Sequence, residues 1–218
     1  AFGAGNAADI DAAVLDAHQG QRDWSAWSPR ERERALRRLA DLVEAHAEPL
    51  AAMESRNCGR QLRQARKTDD QGSIDALRYF AGYPTRQVGA QIPMDTPRQL
   101  RITLHQPLGV IAAIAPWNLP SLVVAGKALY ARGGMLDVVR PVPETPVAAL
   151  EFARLGMKAG LPAGTLNVVT GDAEAGSALA GHLGMTLDDL RLFYRPAFLR
   201  LPIRGRTSHS CRMPPLGQ

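Results

Sequence analysis

Asn118 is the side chain in this sequence with the best setting for chemistry on a carbonyl group. It follows two rigid, bulky residues, Pro116 and Trp117, directly after an apolar run that ends at Ala115. An amide held on such a support can donate a hydrogen bond to a developing oxyanion. The same side chain could instead cap the next helix, because asparagine accepts hydrogen bonds from free N–H groups at helix starts. The residue types alone leave both roles open.

Other residues that could carry nucleophilic or metal chemistry are few and scattered. The two cysteines, Cys58 and Cys211, form neither a Cys-x-x-Cys pair nor a disulfide framework. His209 with Cys211 is too small a group for a metal site, which normally has three or four protein ligands. We therefore expect no metal and interpret the five histidines as surface or packing residues.

The glycines near residue 171 do not form a standard phosphate loop. Gly171 and Gly176 have the spacing of a P-loop, but Ser177 stands where that loop requires lysine. No Gly-x-Gly-x-x-Gly motif follows a predicted strand. The glycine spacing by itself therefore indicates no nucleotide-binding motif in this chain.

The elements that would position Asn118 alternate between strand and helix. Val110 to Ala115 is a short apolar run, as expected for a strand buried on both faces of a parallel sheet. Further strands are predicted at Met135 to Arg140, Leu166 to Thr170 and Leu190 to Phe193. Helices are predicted at Leu119 to Ala131, Thr145 to Ala159 and Ala173 to Gly181. This order predicts an α/β fold with an open, doubly wound, Rossmann-like parallel sheet, which binds ligands at the carboxyl ends of its strands.

A helical region precedes this sheet. Ser28-Pro29-Arg30-Glu31 has the capping-box residues of a helix that begins at Pro29. Other helical patterns cover Ala7 to Gln19, Pro49 to Gly59 and Gln61 to Tyr83. From residue 98 the apolar residues alternate, which predicts a half-buried strand; they are Leu100, Ile102 and Leu104. The predicted regions are a helical region (1–97), a strand and linker (98–106), the sheet domain (107–193) and an irregular tail (194–218).

The charge distribution and the apolar pattern argue against nucleic-acid and membrane partners. The chain has 26 basic and 21 acidic residues, and the excess lies largely in the tail, so we expect no nucleic-acid partner. The most apolar region is interrupted by Pro116, Asn118 and Pro120, too soon for a membrane-spanning helix. No amino-terminal export signal is visible, and the low cysteine content suits a reducing compartment. We therefore expect no membrane partner and a cytoplasmic location.

The segment from Pro107 to Asp172 resembles the coenzyme-binding core of the aldehyde dehydrogenase superfamily. The similarity rests on Ala115-Pro116-Trp117-Asn118 and on the segment LPAGTLNVVTG that ends at Gly171, and it extends from about Ala7 to Phe193. It implies an incomplete aldehyde dehydrogenase fold and oxidation of an aldehyde to a carboxylic acid with NAD or NADP. It also implies that Asn118 is the oxyanion donor. The residues that it assigns to the coenzyme are Ile114, Ala115, Pro116, Trp117, Arg140, Val142, Gly171, Ala175 and Phe193.

The sequence departs from this family at three points. Arg140 stands where the family usually has a lysine that binds the adenosine ribose, and a planar guanidinium favours the phosphorylated ribose of NADP. Tyr194-Arg195-Pro196 follows Phe193 where the family has Thr-Gly-Ser at the coenzyme phosphates. The catalytic cysteine and glutamate of the family lie in segments that this chain lacks. We therefore expect little or no activity from the chain alone, and the alternative is a non-catalytic relic or a nucleotide-binding or oligomerisation module.

Two segments predict self-association. The strand at Leu190 to Phe193 would leave an open sheet edge, which favours pairing with another chain. The strand at Leu100 to His105 resembles a family segment used in subunit contacts. We expect a homo-oligomer that acts on a small aldehyde.

Overall fold

A computed structural model describes residues 3–95, 99–107, 109–128 and 136–184. Its helices are α1 (Ala7–Ala26), α2 (Pro29–Ala45), α3 (Ala47–Cys58), α4 (Leu62–Gln64), α5 (Gln71–Ala81), α6 (Pro120–Ala128), α7 (Val147–Lys158) and α8 (Ala173–Gly181). Its strands are β1 (Gln91–Ile92), β2 (Arg101–Ile102), β3 (Val110–Ala115), β4 (Leu136–Pro141) and β5 (Leu166–Val168). The predicted strand Leu190 to Phe193, Cys211 and the tail lie outside the described residues.

Three parallel strands form the central sheet, in the order β3-β4-β5. The register pairs Val110 with Leu136 and Ala115 with Pro141. All of β4 and nearly all of β3 are buried, which is why both read as continuous apolar runs. The predicted α/β fold, with a parallel sheet behind a helical region, is confirmed.

Helices cover both faces of this sheet. Helices α6 and α7 pack on one face with the amino-terminal helices, in a cluster that includes Leu36, Val139 and Phe152. Helices α1 and α8 pack on the other face, in a cluster that includes Val138 and Leu179. Successive residues of β4 thus enter opposite clusters, because side chains alternate across a strand. This is the doubly wound arrangement that the sequence predicts.

The predicted capping box at the start of α2 is present. Glu31 N donates to Ser28 Oγ at 3.3 Å, and Ser28 N donates to Glu31 Oε2 at 2.7 Å. The predicted end of α1 at Gln19 is wrong, because the helix continues to Ala26. The next residue, Gly20, does not break the helix but brings it against the turn before β5, where an added Cβ would lie 2.4 Å from the carbonyl oxygen of Ala163.

The predicted half-buried strand near residue 100 is also wrong. β2 has two residues, pairs antiparallel with β1, and both strands are exposed. Leu100, Ile102 and Leu104 are 62%, 48% and 72% exposed. Alternating apolar residues indicate which side chains share a face of a strand, but only a neighbouring element can bury that face. No other described element packs extensively over this β1–β2 hairpin.

The helical pattern predicted from Gln61 to Tyr83 contains a change of helix type. A π-helical segment, Ala65–Asp70, joins α4 to α5. It buries two consecutive acids, Asp69 and Asp70. Side-chain periodicity does not report the longer i to i+5 hydrogen bonds of such a segment. Of the helices described, none is both long and apolar enough to cross a membrane.

Candidate functional site

The carboxyl ends of β3 and β4 lie side by side and form one edge of the sheet. Ile114 pairs with Arg140, and Ala115 pairs with Pro141. Beyond the strands, Val142 N donates to the carbonyl oxygen of Ala115 at 3.1 Å, which continues the pairing into the next loop. The structure therefore brings together residues that are about 25 positions apart in sequence. This edge is where open α/β sheets bind ligands.

The turn after β3 projects Trp117 and Asn118 into solvent. Trp117 is 60% exposed, and Asn118 is also exposed. Helix α6 begins at Pro120, and Val123 N donates to the carbonyl oxygen of Leu119 at 2.9 Å. Leu119 therefore occupies the N-cap position, one residue after Asn118. The Asn118 side chain makes no hydrogen bond to another described residue, so its amide is outside the helix cap.

A carboxylate from another helix caps α6. Glu54 of α3 is 1% exposed, and its Oε1 accepts a hydrogen bond from Ser121 N at 2.9 Å. Its Oε2 accepts a second from Ser121 Oγ at 2.5 Å. Burial raises the pKa of Glu54, while the hydrogen bonds from Ser121 oppose that rise. An anion at a helix N-terminus is favourable because the first N–H groups have no partner within the helix.

The guanidinium of Arg60, from the loop after α3, holds the turn before α6. Arg60 Nη1 donates to the carbonyl oxygen of Asn118 at 2.7 Å and lies 3.2 Å from Asp69 Oδ1. Burial is the main cause that raises the pKa of Asp69 to about 6 and that of Asp70 to about 7. Glu54, Arg60, Asp69 and Asp70 were not identified from the sequence. Two adjacent acids within a helical pattern usually indicate a face exposed to solvent. No signal in the sequence marks these four residues as buried or as contacts of the turn.

Arg140 lies inside the edge rather than on its surface. It is 8% exposed, and its Nη2 donates to the carbonyl oxygen of Gly171 at 2.8 Å. Its Nε is buried without a hydrogen bond to a described residue. Burial lowers the pKa of Arg140, and Glu144 and Asp172 counteract this through their charge. The guanidinium also lies next to Gly176 of α8, where an added Cβ would be 3.7 Å from Arg140 Cζ.

Gly171 has a packing reason for being glycine. An added Cβ would lie 2.5 Å from Ala175 Cβ and 2.8 Å from the carbonyl oxygen of Gly5. The amino-terminal segment is fixed there, since Gly5 N donates to the carbonyl oxygen of Thr170 at 2.6 Å. Ala175 is fully buried in the cluster between α1, α8 and the sheet. The structure thus joins Gly171 and Ala175 to Arg140, whereas Phe193 lies outside the described residues.

Cys58 has the environment of an unreactive thiol. Its Sγ donates to the carbonyl oxygen of Glu54 at 3.0 Å, within α3. Burial raises the pKa of Cys58, which disfavours the thiolate that nucleophilic catalysis needs. Across the described residues, no group of three or more histidine, cysteine, aspartate or glutamate side chains could hold a metal ion.

Comparisons with known proteins agree with this architecture. The model of the aldehyde dehydrogenase family matches residues 1–187. Phenylacetaldehyde dehydrogenase from Pseudomonas fluorescens is 43% identical over 187 residues, which cover 82% of this chain and 37% of the relative. The structure of an NAD+ complex of aldehyde dehydrogenase from Bacillus cereus matches with a TM-score of 0.81 and 33% identity, over 84% of this chain and 38% of that one. An NADP-dependent enzyme of E. coli matches over the same shares with a TM-score of 0.80 and 32% identity.

The matched region contains the whole described sheet and its carboxyl edge. The chain spans 37–38% of the length of these relatives. Sequence, fold and local motifs therefore agree with the resemblance that the Pro-Trp-Asn segment first indicated. The chain belongs to the aldehyde dehydrogenase family.

Proposed function

We propose that this chain forms the amino-terminal part of an NAD- or NADP-dependent aldehyde dehydrogenase, which oxidises an aldehyde to a carboxylic acid. The observation that carries this proposal is the family match over residues 1–187, which includes both sides of the carboxyl edge. Relatives matched over that region include an NAD+ complex and an NADP-dependent enzyme. The proposed regions are the helical region 1–97, the linker 98–106, the partial coenzyme domain 107–193 and the tail 194–218.

The edge has features that fit a dinucleotide. The buried Nε of Arg140 has an unsatisfied N–H, which a ribose or phosphate oxygen could accept. Ile114, which pairs with Arg140, is half-buried, and the half-buried Pro116 and exposed Trp117 follow β3 at the same edge, so all three offer apolar surface there. Once bound, the coenzyme would supply the hydride acceptor. The chain would hold it through Ile114, Ala115, Pro116, Trp117, Arg140, Val142, Gly171, Ala175 and Phe193.

Asn118 is proposed as the oxyanion donor. Its amide is exposed, lies outside the helix cap and extends from a turn whose backbone is held by Arg60. Such an amide can donate to the aldehyde oxygen as negative charge develops there. We also propose that the substrate is an aldehyde, that the protein assembles as a homo-oligomer and that it is located in the cytoplasm.

The second candidate is a non-catalytic nucleotide-binding or oligomerisation module. The observation that favours it is the state of Cys58, whose thiol is bonded to a helix carbonyl and has a raised pKa. The described part of the chain therefore offers no activated thiol for covalent catalysis. This candidate would keep the coenzyme edge and lack turnover.

Calorimetry with NAD and NADP on the purified chain, followed by a phenylacetaldehyde turnover assay on the same sample, tests both candidates. Coenzyme binding supports the dehydrogenase part and a nucleotide-binding module alike, because the described part of the chain offers no activated thiol. Turnover in addition contradicts a non-catalytic module. The absence of binding to either coenzyme contradicts the dehydrogenase and the nucleotide-binding module, and it leaves the oligomerisation module.

Arg140→Ala should remove coenzyme binding, whereas Arg154→Ala, on the exposed side of α7, serves as the matched control. Because arginine suits a phosphorylated ribose, we predict tighter binding of NADP than of NAD. Equal affinities would contradict that preference.

A further inference from the structure

Arg60 connects the helical region to the turn that carries Asn118. Its Nη1 reaches both the carbonyl oxygen of Asn118, at 2.7 Å, and Asp69 Oδ1, at 3.2 Å. Its side chain is 22% exposed, whereas that of Asp69 is fully buried. The backbone of Arg60 is also fixed, because Ser55 Oγ donates to its carbonyl oxygen at 2.7 Å. The guanidinium therefore extends from an anchored backbone.

The turn is held at both ends by the same helical region. Arg60 fixes the carbonyl of Asn118, and Glu54 fixes the N–H and hydroxyl of Ser121 three residues later. Between these two points Asn118 is exposed, and its side chain makes no bond to another described residue. The contacts that fix the turn therefore come from α3 and the loop after it, and they engage the Asn118 carbonyl and Ser121 rather than the Asn118 side chain.

We propose that Arg60 is a positioning residue for aldehyde oxidation, because its ion pair with Asp69 and its hydrogen bond to Asn118 hold the oxyanion donor in place. This inference rests on the proposed function of Asn118. Oxyanion stabilisation depends on donors that are fixed before the reaction begins. A side chain at a site edge is fixed accurately only when surrounding residues support it.

At the Arg60 end of the turn, Asp69 is the group whose ionisation changes with pH. Arg60 is its ion-pair partner, and Glu54 adds a like charge nearby, so the pKa of Asp69 is about 6, raised mainly by burial. Asp70, whose charge Arg66 partly offsets, lies beside it in the π-helical segment. Above about pH 6 Asp69 is ionised and holds Arg60, and below it the ion pair is lost.

Fluorine NMR of the full chain labelled with 5-fluorotryptophan tests the proposal. The chain has three tryptophans, and Trp117→Phe assigns the signal of Trp117 on the turn. We expect Arg60→Met to shift or broaden the Trp117 signal and to leave those of Trp24 and Trp27 unchanged. Arg60→Lys, which keeps the charge, should give an intermediate shift. Arg56→Met, an exposed arginine on α3, should change none of the three signals.

The pH dependence gives a second readout, which a purely structural role would not affect. In the unchanged chain the Trp117 signal should titrate with a midpoint near pH 6, and this titration should be absent in Arg60→Met. Asp69→Asn should reproduce the shift of Arg60→Met at neutral pH. If Arg60→Met does not fold, Asp69→Asn decides. A Trp117 signal that both substitutions leave unchanged overturns the proposal, and so does a common shift of all three tryptophans.

Adding NAD or NADP to the same samples tests the proposed function separately. A Trp117 signal that depends on Arg60 in a chain without coenzyme binding supports the positioning of the turn and contradicts the dehydrogenase. Coenzyme binding with a Trp117 signal that is independent of Arg60 supports the dehydrogenase and contradicts the positioning role of Arg60.

Discussion

Asp69 and Asp70 are 0% and 2% exposed, although consecutive acids in a helical pattern usually lie in solvent. Both side chains lack hydrogen bonds from described residues, and both pKa values lie above the ordinary 3.8. The favourable packing of the surrounding helices keeps both carboxyl groups buried and offsets the free energy that their burial costs. At the residue scale, the turn that carries Asn118 is therefore supported by a region that contains two carboxyl groups whose burial costs free energy.

Stability should fall as pH rises through the titration of Asp70. Its pKa is about 7 in the folded chain and 3.8 ordinarily, so the folded chain binds more protons between these values. The contribution of protonated Asp70 is thus complete below about pH 4 and lost as pH passes 7. We expect Asp70→Asn to match the unchanged chain near pH 4 and to exceed its free energy of unfolding by up to about 4 kcal/mol at pH 8.

Urea unfolding across this pH range measures that difference. Asp75→Asn, an exposed acid on α5, is the control and should give a constant offset. A difference between Asp70→Asn and the unchanged chain that does not vary with pH would contradict the assignment.

Asn118→Ala should separate chemistry from stability. Because the side chain is exposed and bonded to no other described residue, the free energy of unfolding should change by less than about 0.5 kcal/mol. In an enzyme that also contains the catalytic cysteine and glutamate of the family, loss of an oxyanion donor should lower kcat for aldehyde oxidation by about 100-fold or more. Coenzyme affinity, measured by calorimetry, should stay unchanged. A large loss of stability with unchanged kcat would indicate a structural role instead.

At the scale of elements, close backbone contacts join α1 to the turn before β5. Gly20 of α1 lies against Ala163, and Gly164 of the turn has φ +79°. An added Cβ at Gly164 would lie 2.3 Å from the carbonyl oxygen of Asp16 in α1. Two glycines, one from each element, therefore permit the helix to cover this face of the sheet.

Gly20→Ala should destabilise the chain although alanine is the better helix former. The new Cβ would meet the carbonyl oxygen of Ala163 at 2.4 Å, so the helix must move away from the turn. We expect a loss of about 2 kcal/mol in urea unfolding. Gly126→Ala on α6, where the new Cβ meets no described atom within 4 Å, should instead stabilise by about 0.5–1 kcal/mol. Equal effects at the two positions would contradict the packing explanation.

At the scale of the whole molecule, the β1–β2 hairpin is a surface on which the described chain leaves several apolar side chains uncovered. Leu100, Ile102 and Leu104 are exposed there together, and Val88 is 80% exposed on the segment before β1. A cluster of exposed apolar residues on an open strand edge favours association with another chain. We expect a second copy of this chain to cover it.

Light scattering tests this assembly. The unchanged chain should exceed the 23.5 kDa of a monomer, and Ile102→Lys with Leu104→Glu should return it to that mass. Leu15→Lys, at a residue of α1 that is 71% exposed, should leave the assembly unchanged. A monomeric unchanged chain would show that the hairpin does not drive association.

Local signals in the sequence determined much of the sheet and its helices. Apolar runs predicted β3 and β4 to within a residue, the Ser28 capping box predicted the start of α2, and α8 has the predicted bounds. Each signal works because backbone hydrogen bonding and side-chain periodicity depend on neighbouring residues. The position of Asn118 at a strand end followed from the same signals.

The tertiary structure decided what surrounds these elements. Only folding brings Arg60 and Glu54 to the turn at Asn118 across more than 50 positions of sequence. Burial of Asp69 likewise depends on which helices pack against it, and exposure of Ile102 depends on which do not. Periodicity specifies the face that a residue occupies but not what meets that face, because the contacts of a face come from distant parts of the chain.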